Sequence, residues 1–282
     1  MRHSVIRYGC VLLIGATLIP APAQTTPAFE VASVKLDKTA HEPRFQVLPS
    51  GRVSVVGYSL RMLIALSHNI PFQSPAERIF GGPDWVRSET YDIEAIPGAG
   101  AFGTEMTPQA RDEKIRLMLG RLLEDRFHLR IKQSTKEMPI YTVLVAKGGL
   151  KLQPSKLSEN DCDSAEIRPP CHQLIGGQGR GLHAKAATVE DMAKFIEHWS
   201  DRPIIDRTGM TTLFEVDTVG WTPLTPRLPS PDAATSAEDQ VIADPTRRTL
   251  FSIMDGLGLK LEPTKGLVSV YVIEDAERPA EN

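Results

Sequence analysis

Apolar and polar residues alternate along FEVASVK, Phe29–Lys35, the period of a half-buried strand. RFQVLPSGRVSVVG, Arg44–Gly57, repeats the alternation on either side of Pro49-Ser50-Gly51, which predicts two strands joined by a tight turn. The period then changes. Leu60, Leu63 and Ile64 follow Ser59 at i, i+3, i+4 spacing, so a capped helix is expected there, ended by Pro71. Ser88–Ile96 reads as a strand and Pro97–Gln109 as a loop. The strongest helical signal is the broad apolar stripe of Ile115, Met118, Leu119, Leu122 and Leu123. RFHLRIKQSTKEMPIYTVLVA, Arg126–Ala146, comes next, with Phe127, Leu129 and Ile131 on one strand face and Tyr141, Val143 and Val145 on another. The polar residues between the two sets predict a hairpin.

Leu150–Leu182 has no period, is rich in Ser, Pro and Gly, and holds Cys162 and Cys171. The period resumes at Thr188, whose spacing to Asp191 matches a capping box, with Val189, Met192, Ala193, Ile196 and Trp199 on one helical face. PIID and LFEVDTVGW read as strands around a turn at Thr208-Gly209, and residues 222–247 as a polar, proline-containing mobile loop. Leu250, Ile253, Met254 and Leu257 predict a short helix, and GLGLKLEPTKGLVSVYVIE, Gly256–Glu274, a second hairpin. The two stretches line up. Ser59-Leu60 matches Thr188-Val189, Tyr91-Asp92-Ile93 matches Phe214-Glu215-Val216, and Phe127, Leu129, Ile131 match Leu257, Leu259, Leu261. An α+β fold is expected, with two related units at 24–149 and 183–282 joined by a connector at 150–182. Each unit would be a small mixed sheet with two helices packed on one face.

The first 23 residues change the cellular picture. Arg2 and Arg7 precede the apolar run Tyr8–Pro20, and Ala21-Pro22-Ala23 supplies a small-x-small cleavage pattern, so a secretory signal peptide is expected at 1–23. The alternative, an anchor that stays attached, is opposed by the shortness of the run against the roughly 20 residues of a spanning helix. Without the leader, 30 basic residues face 35 acidic ones, a formal charge of −5. That balance gives no basic face for nucleic acid. In an oxidising compartment Cys162 and Cys171, nine positions apart, are expected to form a local disulfide contributing about 2–3 kcal/mol.

FEVASVK, GGPDWVRSETYDIEA (Gly81–Ala95), LLEDRFHLRIKQSTKEMPIYTVLVAKGGLKL (Leu122–Leu152), PIIDRTGM (Pro203–Met210) and the last 27 residues from Gly256 together resemble the soil-associated protein family. These are exported bacterial proteins carrying a domain of unknown function. The resemblance implies export and transfers no reaction, cofactor or active-site residue. Some members carry the domain beside a membrane metallopeptidase of the antibiotic-sensor type, whose helices this chain lacks. At the level of one unit, TVEDMAKFIEHW, FEVDTVG, LFSIMDGLGLKLEP and VSVYVIE are similar to the short N-terminal domain of secretins and TonB-dependent receptors, a periplasmic docking module. That likeness implies a fold and, by analogy alone, docking.

No motif for a serine nucleophile elbow, a metalloprotease helix, a phosphate loop or a dinucleotide fold occurs, and no cofactor is expected. GGQGRG, Gly176–Gly181, lacks the strand and helix that a phosphate loop needs and reads as a flexible link. Cys162, Cys171, His172 and Asp161 could gather a metal, but their spacing and the export signal favour the disulfide. His41, His68, His128, His183 and His198 are scattered and read as surface residues. Asp84 and Asp206 each sit in a turn, where a carboxylate caps backbone amides. Trp85, Asp206, Arg207 and Trp221 are the candidate binding residues, with core packing of both tryptophans as the competing reading. The favoured function is a non-catalytic binding or protein-interaction module of the cell envelope, with an envelope protein as partner. The alternative is a secreted hydrolase assembled in the fold around Asp84, Asp206 and a histidine.

Overall fold

The computed structural model describes residues 27–39, 41–71, 78–103, 106–162, 164, 166–221 and 248–280; the predicted leader 1–23 and the predicted loop 222–247 lie outside them. Strands β1 (Phe29–Leu36), β2 (Arg44–Val47) and β3 (Val53–Ser59) lead into helix α1 (Leu60–Ser67). Strand β4 (Ile79–Gly81), α2 (Trp85–Ser88), β5 (Thr90–Pro97), α3 (Pro108–Phe127) and β6 (Arg130–Val145) complete the first half. The second half holds β7 (Gln153–Pro154), β8 (Ile175–Gly177), β9 (Gly181–Ala187), α4 (Val189–Ile196), β10 (Ile204–Asp206), β11 (Phe214–Asp217), α5 (Leu250–Gly256) and β12 (Leu259–Asp275).

These strands form three four-stranded sheets, ordered β1-β5-β3-β2, β10-β6-β12-β4 and β7-β11-β9-β8. The first and third are antiparallel. The middle one is mixed: β6 and β12 run antiparallel, while β10 lies parallel to β6 and β4 parallel to β12. The fold is α+β, several small sheets with a few helices, as the periodicity implied. The helices start where side chains can satisfy free amides. Ser59 accepts from the Met62 amide ahead of α1, Thr107 from Ala110 ahead of α3, and Thr188 from Asp191 ahead of α4. On α3 the predicted stripe of Ile115, Met118, Leu119, Leu122 and Leu123 is buried.

Neither predicted hairpin forms. Arg130–Val145 is one strand of 16 residues and Leu259–Asp275 one of 17, and the two pair with each other along nearly their whole length. A two-residue hairpin turn needs residues with positive φ, and neither QSTK (Gln133–Lys136) nor PTKG (Pro263–Gly266) adopts any. Each segment satisfies its backbone across the molecule instead. Pro263, which lacks an N–H, is tolerated in mid-strand because Tyr141 opposite it donates outward to the Pro203 carbonyl at 2.8 Å.

The two long strands serve two cores. Ile131 of β6 and Tyr271 and Ile273 of β12 pack with α1, α2, α3 and the first sheet around Leu63, Ile93, Leu123 and Phe127. Tyr141 and Val143 of β6, with Leu259 and Leu261 of β12, pack with α4, α5 and the third sheet around Met192, Phe214 and Trp221. Within 150–182, β7 and β8 join the third sheet, and Gly176–Gly181 holds the turn at 178–180 with the paired ends of β8 and β9. Gly177, at φ +127, is needed there because a Cβ would lie 2.6 Å from the Trp199 ring. Cys162 and Cys171 are disulfide-bonded with Cα atoms 5.4 Å apart, and both sulfurs are packed beside Ala186 and Leu213. Gln109 of α3 donates to the Cys171 carbonyl, which ties this loop to the first half. Among the described residues no helix is long and apolar enough to cross a membrane.

Candidate functional site

The polar side of α4 and the 3₁₀ turn that extends it, Glu197–Trp199, face first-half residues across a cleft of about 550 Å³. Its charged and imidazole lining is His68, Arg78, His172, Asp191, Lys194, Glu197 and His198. Leu174, Phe195 and Pro71 add apolar surface, and Asn69 and Gln173 add amides.

Arg78 immediately precedes β4, and its carbonyl accepts the Tyr271 amide of β12 at 2.8 Å, so its backbone is held by the central sheet. Its guanidinium forms an ion pair with Glu197, 119 residues away. Glu197 is only 4 % exposed. Its second oxygen accepts the Ile204 amide at 3.2 Å. Burial pushes the Glu197 carboxyl above its ordinary value, and the Arg78 charge and the Ile204 amide oppose that rise without cancelling it. The Arg78 Nε is buried and has no acceptor among the described residues.

His172 lines the cleft beside the head of α4. Its backbone is left-handed, φ 59, and its amide donates to the Ala186 carbonyl at 2.8 Å. Nδ1 lies 2.8 Å from Asp191 Oδ2 and Nε2 lies 3.0 Å from Glu159 Oε2. The same Asp191 oxygen accepts the Thr188 amide and hydroxyl at 2.9 and 2.7 Å, closing the predicted capping box. Burial works against a charge on His172, but the hydrogen bonds to Glu159 and Asp191 outweigh it and hold the imidazole above its ordinary value. His68, just past α1, stacks on Tyr271 with ring centroids 4.2 Å apart, and burial lowers its imidazole instead. His198 Nδ1 meets the Phe195 carbonyl at 3.1 Å.

Chemically, the cleft offers fixed charges and hydrogen-bonding groups. A histidine base needs one free nitrogen, and both nitrogens of His172 face carboxylates. The described lining residues contain no serine, threonine or cysteine to act as nucleophile.

The candidate residues taken from the sequence lie elsewhere. Trp85 sits in the first core, stacked with Phe127 and edge-on to Tyr91, with the Arg278 guanidinium 5.2 Å over its ring. Trp221 is fully buried in the second core, edge-on to Trp199, and its Nε1 has no acceptor among the described residues. Asp206 accepts the Thr208 amide and hydroxyl at 2.7 and 2.8 Å, the turn role expected of it, and Arg207 is exposed. None of the four lines the cleft, although Asp206 borders a neighbouring groove of about 330 Å³ that shares Arg78, Lys194 and Glu197. Asp84 makes no side-chain capping bond ahead of α2, contrary to its expected turn role. Cys162 and Cys171 are bonded to each other, which removes the thiolates that a metal would need beside His172, and Asp161 turns back to Ser158. A second cluster, Asp37, His41 and Asp92, is taken up by its own turn: the Asp37 oxygens accept from Thr39 and from the His41 amide.

One signal for the cleft was present in the sequence. Glu197 follows Ala193 by four and Val189 by eight, which puts a carboxylate on the apolar stripe of α4. Its partner, across 119 residues, carries no local signal.

The family described as "Protein of unknown function (DUF3738)" has a model that matches residues 61–276. The chain belongs to this family. The DUF3738 span contains both long strands and every residue named in the cleft, while β1, β2 and β3 precede it. No curated protein and no solved structure matches the chain.

Proposed function

We propose that this DUF3738 protein is an exported, non-catalytic binding module of the cell envelope, and that the cleft beside α4 takes a peptide segment of a partner protein. One observation carries the reading: both halves build the cleft, and its charged groups are held in place by each other before any ligand arrives. Such preorganisation lowers the ordering cost of binding. Arg78 and Lys194 balanced by Asp191 and Glu197, beside Phe195, Leu174 and Pro71, suit a segment of mixed polar and apolar character. The leader-like N-terminus and the buried disulfide support export.

The test is capture from the envelope fraction of the host, with wild-type protein and a Lys194→Glu, His198→Ala variant side by side. Both side chains are outside the buried ion pair. An envelope protein enriched by the wild type and lost by the variant supports the reading; equal enrichment by both sinks the cleft as its site.

A hydrolase is the second reading, favoured by His172 and Asp191 lying within hydrogen-bond reach in a cleft. It requires Glu159 to leave Nε2. Mass spectrometry of captured material distinguishes the two, because a hydrolase returns cleaved partners and a binding module returns intact ones.

A further inference from the structure

We propose that His172 is a proton-operated latch that fastens the 3₁₀ turn Glu159–Asp161 to the head of α4 and thereby sets the charge and hydrogen bonding of the cleft wall at His172. The idea concerns regulation of the cleft described above, so its bearing on a ligand rests on the binding reading. Neutral imidazole has one N–H and one lone pair, whereas imidazolium donates from both nitrogens. Here both nitrogens face carboxylate oxygens, at 2.8 Å on Asp191 and 3.0 Å on Glu159. Only the doubly protonated ring satisfies both. Loss of a proton leaves a lone pair against an anionic oxygen, and one side must let go.

The side that opens follows from the anchors. Asp191 is bound twice by Thr188 as the cap of α4. Glu159 belongs to a three-residue turn, and its side chain is 63 % exposed. Opening is therefore a local swing of that turn. The Cys162–Cys171 bond, the Gln109 contact to the Cys171 carbonyl and the His172 amide on Ala186 keep the rest of the loop in place. His172 itself lines the cleft, so release changes the charge and the hydrogen-bonding nitrogen that it presents there.

The surrounding charges are otherwise engaged. Asp161 accepts from Ser158, Lys194 pairs with Glu190, Arg78 with Glu197, and His198 bonds to the Phe195 carbonyl, while His68 is stacked and held toward the neutral form by burial. Strand β9 and α3 bond to His172 and Cys171 through Ala186 and Gln109, which are uncharged, while Lys185 of β9 and Glu215 of β11 line a separate groove with Asn160 and Asp161. The sign is fixed by the two carboxylates: against the opposing effect of burial they raise the imidazole above 6.5. The latch is closed below that value and opens as pH rises through the higher folded one.

Hydrogen exchange of the full chain, without ligand and corrected for intrinsic rates, tests this between about pH 5.5 and about pH 8.5, the range in which histidines titrate. Protection of peptides spanning 157–174 should fall about tenfold across the titration, the size of one lost charge-assisted hydrogen bond, while β6 and β12 stay unchanged. Glu159→Gln should move the midpoint to lower pH, and His172→Gln should be open at every pH. Protection that ignores pH, or a midpoint identical in Glu159→Gln and wild type, overturns the latch. Because no partner is present, a latch that titrates in a protein that captures nothing would leave the latch standing and remove the binding reading alone.

Discussion

His68 and Glu197 occupy matching places in the two halves, each directly after the helix that a Ser or Thr cap begins. The frames around them agree. Tyr271 donates to the Arg78 carbonyl and pairs with Ile79, while Tyr141 donates to the Pro203 carbonyl and pairs with Ile204, both amide bonds being 2.8 Å. The chemistry differs. His68 is an exposed ring stacked on Tyr271, whereas Glu197 is a buried anion whose counter-charge, Arg78, comes from the other half. A repeated scaffold thus brings two unlike residues to one cleft, and the difference between the halves supplies its character.

Substitutions at these matched positions should be unequal. Glu197→Ala leaves the Arg78 charge buried without its partner and should cost about 3–5 kcal/mol in urea unfolding. His68→Ala removes a ring stack and should cost about 1 kcal/mol. Equal losses would mean that the ion pair adds nothing beyond packing.

Removing the disulfide with Cys162→Ser, Cys171→Ser should cost about 2–3 kcal/mol. Hydrogen exchange should place the loss in the third sheet and α4 and leave the first sheet unchanged; a uniform loss would show that the two cores unfold as one. The caps sharpen the contrast further. Thr188→Ala should cost about 1–2 kcal/mol because it also frees the carboxylate that orients His172, against about 1 kcal/mol for Ser59→Ala, whose N3 position is Met62. Thermal melts of the two variants compare them directly.

The smallest effects separate the halves by pH. Asp37 is held at about 2, first by the Thr39 amide and then, with burial opposing, by the His41 amide and the Thr39 hydroxyl. Its folded value is depressed, so its contribution is present above 3.8 and lost as pH falls through about 2. His172 is raised, so its contribution is present below 6.5 and lost at higher pH. The turn after β1 should loosen in acid and the Glu159 turn in alkali. Amide chemical shifts followed along a pH titration would show either order, and a single common transition would erase the distinction.

Most helices and two of their starts were legible because they depend on neighbours a few positions apart, although α2 and the Thr107 cap of α3 were not read. Leu60, Leu63 and Ile64, the stripe on α3, and the Thr188–Asp191 box each read correctly from spacing. The Cys162–Cys171 pair was legible for the same reason, since it closes a short loop. The cleft was not. Arg78 and Glu197 are brought together by strand pairing over a long separation, and the spacing around His172 carries no sign of its partners Asp191 and Glu159.

The residues Arg126–Ala146 and Gly256–Glu274 mark the boundary between the two kinds of information. Their alternation determined that most of each is strand, Arg130–Val145 and Leu259–Asp275, although Phe127, expected on a strand face, ends α3 and Gly256 ends α5; their matching patterns determined that the halves correspond. Alternation sets which face a side chain takes, but backbone hydrogen bonds carry no record of which strand will receive them. A local hairpin and a long-range ribbon satisfy the same pattern. Only the tertiary structure decided for the ribbon: neither segment has a residue at the positive φ that a tight reversal requires, and pairing β6 with β12 lets each strand cover parts of both cores.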